Sequence, residues 1–291
     1  MSGPVSSRRR AAAGSGFILI GAVLTQWSAA IISPLFGVVG PGAASAFRFE
    51  FGALILLVLA RPRVGAWTRE QWGGVVVLGV ATAFMNQCFY HAIARIPLGT
   101  AVAIEYLGPF LLAAFGKRSW RHVALLILAA IGVLALTRPG TGITWLGALF
   151  AAGSCLGWAT YALASHRVGG ATKGFGGLAV AMTISAILTL PAGVAQGSTL
   201  ATHPGLLARA AAAAVMAIVV GFAAEMQALR RIKPSIVSVL LALDPAVAFA
   251  VGWAFLGQHV SLTDLLGVAC VVGAGVGVTL DVATSDVSLA L

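Results

Sequence analysis

The feature that most constrains this chain is a succession of ten apolar segments, each near the roughly 20 residues that a helix needs to cross the hydrocarbon of a bilayer. They cover residues 16–32, 43–60, 72–92, 98–115, 122–136, 145–164, 175–195, 206–229, 234–256 and 262–280, the fifth being the shortest. The connections between them leave no room for a soluble domain. Only 9% of the 291 residues are charged, where a soluble domain carries about a quarter, and the mean hydropathy is +0.99. Such a chain lacks the polar surface to cover a globule in water, whereas a lipid solvent demands none. The expected fold class is therefore all-α integral membrane.

Charge gives the direction. The net charge of +10 suggests nucleic acid only if Lys and Arg gather in a solvated stripe; here they sit in short clusters between apolar runs. With Arg8, Arg9 and Arg10 inside, alternate loops place Arg61, Arg63, Arg69, Lys117, Arg118, Arg121, Arg167, Lys173, Arg230, Arg231 and Lys233 on the same side. Arg95, Arg138 and Arg209 fall on the other, and Arg48 lies within the second segment. This bias predicts both termini in the cytoplasm. The start reads as a first helix rather than a cleaved signal, because polar Thr25 and Gln26 lie in the run and no small-residue cleavage site is clear. Cys88, Cys155 and Cys270 lie in apolar runs without metal spacing and read as small buried hydrophobes.

The chain also repeats. Ala92, Arg95, Ile96 and Pro109 are matched by Ala228, Arg231, Ile232 and Pro245 at a constant offset of 136 residues. That offset spans five segments, an odd number, so the two halves have opposite orientation. The expected organisation is a basic cytoplasmic tail (1–15), two inverted five-helix repeats (16–137 and 138–281) around a central cavity, and a cytoplasmic tail (282–291). Inverted repeats are characteristic of secondary transporters, with the substrate near the midplane.

Ionisable groups inside a membrane are costly and mark function by default. Four acids qualify: Glu50, Glu105, Glu225 and Asp244. Glu105 and Asp244 each lie near a helix-breaking proline, Pro109 and Pro245, which frees a carbonyl and makes a kink or gate. Glu105, Glu225 and Asp244 are the candidates for proton coupling. Arg48 and Glu50 are too close in sequence to pair on one helical face; Arg48 either snorkels to the membrane surface or holds a substrate carboxylate. Asn86 with Tyr90, and Gln87 with His91, form neighbouring faces of the third helix, while Ser154, Trp158 and Tyr161 line the sixth. Such polar tips on aromatic walls suit a small zwitterion; interface anchoring and packing are the plainer alternatives for Trp158, Tyr161 and His91. The helical glycines, among them Gly132, Gly147, Gly153, Gly157, Gly267, Gly273 and Gly277, predict close helix contacts.

The stretch Ile96-Pro97-Leu98-Gly99-Thr100-Ala101-Val102-Ala103-Ile104-Glu105-Tyr106-Leu107-Gly108-Pro109, with Glu225-Met226-Gln227-Ala228-Leu229 and Asp244-Pro245-Ala246, resembles the drug/metabolite transporter superfamily. It is most similar to the threonine/homoserine exporters of the EamA family, with aromatic amino acid exporters as relatives, and the likeness extends through Gly157-Trp158-Ala159-Thr160-Tyr161 and Phe255-Leu256-Gly257. The resemblance implies a ten-helix inner-membrane exporter whose cavity is lined by helices 1, 3, 4, 6, 8 and 9. It carries over Arg48, Glu105, Pro109, Trp158, Glu225 and Pro245. Two positions depart from the pattern: Asp244 stands where Glu usually precedes the proline, and Gln258 replaces a Glu after Phe-Leu-Gly.

The substrate-binding residues expected are Arg48, Asn86, Tyr90, His91, Glu105, Tyr106, Trp158, Tyr161 and Glu225, serving an alternating-access exporter of amino acids, or of other metabolites or cationic drugs. Its partners are a small-molecule substrate and the lipid bilayer, with no nucleic acid, as a monomer or homodimer. No cofactor or metal is called for, and no nucleotide motif is present, so energy must come from a gradient. The histidines His91, His122, His166, His203 and His259 are scattered near segment ends, which gives no constellation for an enzyme.

Overall fold

A computed structural model describes residues 4–108, 120–137, 143–171, 174–221, 224 and 239–288, and none of these is in a strand. Lipid offers the backbone no hydrogen bonds, so each segment must satisfy its own N–H and C=O groups, which a helix does alone. In chain order the helices are α1 (Pro4–Ile32), α2 (Phe36–Ala60), α3 (Arg69–Ile93), α4 (Leu98–Glu105), α5 (Trp120–Leu136), α6 (Trp145–Ala171), α7 (Gly176–Ala201), α8 (Pro204–Ala214), α9 (Asp244–Leu256) and α10 (Leu262–Ser288). A 3-10 turn, Ser33–Leu35, joins α1 to α2, and α8 runs on into a π-helical turn, Val215–Gly221. Among the described residues six stretches are long and apolar enough to cross a membrane: Ala13–Ala60, which holds α1 and α2 together, Arg69–Ile93, Trp145–Ser165, Gly176–Ala201, Pro204–Gly221 and Val239–Leu256. Val123–Leu136 and Leu262–Val278 are shorter apolar helices.

Local chemistry explains the boundaries. Thr68 opens α3 with a capping box: its hydroxyl accepts from Gln71 N at 3.2 Å, and the Gln71 side chain accepts from Thr68 N at 2.9 Å. Ser261 and Asp264 make the same reciprocal pair at the start of α10. Gly257 closes α9 at φ 61, a left-handed conformation that glycine adopts without strain. The expected first helix reaches back to Pro4 and so takes in most of the basic tail. The expected fourth and ninth helices are interrupted rather than continuous. The fourth turns at Tyr106 before resuming at residues 107–108, and the ninth turns at residues 242–243 between a short helical stretch (239–241) and α9. Ala242 is 136 residues after Tyr106, so both breaks fall at the offset read from the sequence. Pro245 stands in the first turn of α9, where a missing N–H costs nothing; Pro109 lies outside the described residues, as does Glu225.

Helix α3 packs on α6 and α7; α2 on α7 and α8; α1 on α8, its π-helical turn and α9; α4 on α9 and α6; and α5 on α10. Close approaches give the directions. Gly157 meets Met85 while Gly74 meets Val168, so α3 and α6 are antiparallel. Gly193 against Glu50 and Gly176 against Pro62 make α2 and α7 antiparallel, and Gly132 against Gly267 with Gly277 against Leu125 does the same for α5 and α10. A Cβ on Gly132 or Gly267 would meet the other's carbonyl oxygen at 2.6 or 2.9 Å, so glycine sets that spacing. Gly273, by contrast, faces open space, and packing does not explain it.

Two apolar layers result. One gathers Ile32, Leu35, Tyr90, Leu98, Val102, Phe249 and Val271; the other gathers Phe49, Leu56, Val75, Leu78, Met182 and Ile218. Outside them, large apolar side chains such as Leu54, Val58, Leu134, Leu156 and Val194 face outward, as a lipid solvent allows. Trp120 and Trp145 are 77% and 78% exposed at helix ends, where membrane-interface anchors sit.

Candidate functional site

Buried polar side chains gather where α2, α3, α4, α6 and α9 meet. Arg48, on α2, is only 6% exposed and its Nη2 donates to Asn86 Oδ1. It does not snorkel. Asn86 in turn donates to Thr82 O at 3.0 Å, so its amide is held from both ends and fixes the guanidinium. One turn along α3, the Tyr90 ring lies 4.9 Å from Arg48 Cζ and makes edge contacts with Phe36 and Phe89. Among the described residues no carboxylate forms an ion pair with Arg48, and Glu50 points instead at Gly193 of α7.

The acids form the opposite pole. Glu105, the last residue of α4, is hydrogen bonded to Ser154 Oγ of α6, which also lies 3.1 Å from Met85 O of α3. Tyr106, next in the chain, donates its hydroxyl to Asp244 Oδ2 in the first turn of α9. Its ring stands edge-on to Trp158 at 3.6 Å and 81°. Adjacent residues of α4 thus connect one acid to α6 and reach the other on α9. Among the described residues, Asp244 and Arg48 are the charged groups that act on Glu105 electrostatically. The three are therefore parts of one site.

Most of the expected residues come together: Arg48, Asn86, Tyr90, Glu105, Tyr106, Trp158 and Asp244. His91 does not. Its ring stacks on Phe150 at 4.9 Å, and its carbonyl accepts from Arg95 Nη1 at 2.7 Å. With Gln87, whose amide donates to Gly42 O at 3.1 Å, it occupies the neighbouring face of α3 against the start of α2. Tyr161 packs against the second apolar layer, whereas Trp158 packs against the first, so the stripe on α6 divides between them. Two participants were not singled out for their roles. Ser154 belongs to the α6 stripe, but its bond to Glu105 joins residues 49 apart and leaves no local trace. Gln258 accepts from Leu98 N at 3.2 Å across 160 residues and caps the start of α4.

The site can bind both signs of charge. Arg48 offers a fixed cation, Glu105 and Asp244 offer carboxyls, and Tyr106 and Trp158 form an aromatic wall beside them. Among the described residues Arg48, Glu105, Asp244 and Tyr106 are buried in this conformation and Trp158 is partly buried.

Comparison with known proteins identifies the family. The EamA-like transporter family matches residues 145–280. The chain is 31% identical over 268 residues to the threonine/homoserine exporter RhtA of Salmonella typhimurium, covering 91% of this chain and 90% of that relative. The threonine/homoserine exporter RhtA of Escherichia coli is 30% identical with the same coverage. A shorter likeness, 31% over 122 residues, joins 37% of this chain to 43% of the pseudopaline exporter CntI of Pseudomonas aeruginosa. A solved crystal structure shares the fold at a TM-score of 0.60 and 20% identity, covering 91% of this chain and 97% of that one. At the identity and coverage of the RhtA relatives the chain belongs to the EamA family of the drug/metabolite transporter superfamily, and it is a multi-pass membrane exporter of small metabolites rather than an enzyme.

Proposed function

We propose that this protein exports amino acids of the threonine and homoserine kind across the cell inner membrane by alternating access. The observation that carries the reading is the buried dipolar site, with Arg48 at one pole and Glu105 and Asp244 at the other. A zwitterion has the matching polarity. The relatives, threonine/homoserine exporters, point the same way.

The architecture proposed is ten crossings in two inverted repeats, with both termini cytoplasmic. Replacing each helix by the one five places on turns the pairing α3·α6 into α8·α1, α4·α6 into α9·α1, and α3·α7 into α8·α2, all of which occur. The pairs α2·α7, α4·α9 and α5·α10 map onto themselves. Antiparallel packing in α2·α7 and α5·α10 is what inversion requires of equivalent helices. The polar site then lies between halves, so rocking one against the other opens it to either side.

Glu105 is assigned the proton. Ser154 has one hydroxyl hydrogen and two acceptors within reach, Met85 O and Glu105 Oε1. Both bonds are made in full only when Glu105 is protonated and donates to Ser154. A carboxylate that holds a proton cannot also hold an ammonium, so proton and substrate exchange at one position and move in opposite directions. Uptake of labelled threonine into proteoliposomes with an acidic lumen tests this. Saturable accumulation that homoserine competes is expected; accumulation of cationic dyes with no threonine flux would replace the reading with that of a drug exporter.

A further inference from the structure

On the Arg48 side of the site, three buried donors have no acceptor. Arg48 Nε, the Tyr90 hydroxyl and the Ser45 hydroxyl all lack a hydrogen-bond partner among the described residues. Tyr90 and Ser45 are fully buried and Arg48 is 6% exposed. A buried donor left unpaired is unfavourable, and native structures leave few of them. Their placement is related. Ser45 and Arg48 are three apart on α2 and share a face, and the Tyr90 ring lies against the Arg48 guanidinium.

The chemistry of the group is one-sided. Arg48 Nε can only donate, and it belongs to a charge with which no described carboxylate forms an ion pair; the two hydroxyls can also donate. Asn86 meanwhile holds the far end of the guanidinium, which directs the remaining N–H edge instead of leaving it to rotate. A planar monoanion with two oxygens and about four acceptor positions fits such a set, and the acid pole across the site rejects a second negative charge.

We infer that Ser45, Arg48 and Tyr90 form a carboxylate subsite that fixes the orientation of the exported molecule, its carboxylate towards α2 and α3 and its amino group towards Glu105 and Asp244. This rests on the amino-acid reading above for the amino group alone; the carboxylate end stands on the three donors. The subsite makes a free carboxylate a requirement for recognition, so amides and esters of the same amino acids are rejected. Ser45 and Tyr90 are then specificity-determining residues, and Asn86 is a positioning residue that acts through Arg48.

The test is ligand binding to the purified full-length protein in detergent, read as thermal stabilisation across a concentration series. The probes are threonine, threoninamide, 2-hydroxybutyrate, which keeps the carboxylate but lacks the amino group, and chloride as a simple anion. The wild type is compared with Tyr90→Phe, which keeps the ring packed on Phe36 and Phe89, and with Ser45→Ala; each variant is judged separately, with its unliganded melting temperature as the check on folding. We expect threonine to bind at least about tenfold more tightly than threoninamide, and Tyr90→Phe to weaken threonine and 2-hydroxybutyrate about tenfold, the scale of one hydrogen bond to a charged group. Ser45→Ala should act in the same direction and less strongly, and neither variant should change the response to threoninamide. Equal binding of threonine and threoninamide, unchanged carboxylate affinity in both variants, stabilisation by chloride equal to that by 2-hydroxybutyrate, or no response of the wild type to either carboxylate would each overturn the subsite. A wild type that responds to 2-hydroxybutyrate but not to threonine would defeat the amino-acid reading and leave the subsite standing.

Discussion

The two acids occupy equivalent stretches of the two halves, yet their surroundings differ. Asp244 opens α9, where the free N–H groups of a helix start favour negative charge, and Tyr106 donates to it. Glu105 lies beside the turn that interrupts the fourth helix, and its hydrogen-bond partner is a serine hydroxyl already in reach of a backbone oxygen. One carboxylate meets a helix start and a phenol; the other meets a serine hydroxyl that also reaches a backbone carbonyl. In the mechanism proposed above, the first serves as a fixed charge and the second as the exchangeable one.

The largest test of that contrast swaps the charge at each site. Glu105→Gln should reduce pH-gradient-driven threonine accumulation by a factor on the order of a hundred, since the amide, like the protonated acid, cannot hold the ammonium, and whatever threonine exchange remains should no longer depend on pH. Asp244→Asn should lower both processes together, because it removes a charge that both states use. Residual exchange in Asp244→Asn should keep its pH dependence, and equal pH dependence of the two variants would break the distinction.

Hydroxyl deletions should follow at smaller scale. Tyr106→Phe removes a donor to a charged group and should cost threonine transport roughly tenfold or more. Ser154→Ala should cost less than about tenfold and should also shift the pH dependence of transport, a change Tyr106→Phe should not produce. Steady-state uptake across a pH series separates them.

The smallest effect is expected at Gln258, on the far end of the same helix pair. Gln258→Glu keeps an acceptor for Leu98 N and adds negative charge at a helix start, worth at most about 1 kcal/mol in the favourable direction. Transport should stay within about twofold of the wild type, with a melting temperature equal or slightly raised. A large loss of activity would mean that this end of α4 and α9 does more than cap.

Much of this was legible from the residues. Apolar runs near bilayer length predicted the helices, the offset between Ile96 and Ile232 predicted two related breaks, and a spacing of four put Asn86 and Tyr90 on one face. Expense in lipid marked Arg48, Glu105 and Asp244. What stayed hidden was pairing across the chain. Ser154 with Glu105, Tyr106 with Asp244 and Gln258 with Leu98 join residues 49, 138 and 160 apart, and periodicity reports only which face a side chain occupies. His91 shows the same limit from the other side: its face relative to Asn86 was read correctly, but that face meets Gly42 and Phe150 rather than the acids. Tyr161 lies one turn beyond Trp158, enough to move it into the other apolar layer.

The most direct test of the central claim is the proton movement that accompanies threonine flux. Vesicles holding an internal pH indicator would be loaded with threonine and diluted, so that threonine leaves down its gradient. The wild type should carry protons inward as threonine leaves, and Glu105→Gln should show no proton movement in step with whatever threonine flux remains. Proton movement of equal size in both proteins, or none in the wild type, would contradict the assignment of Glu105 as the group that trades its proton for the substrate.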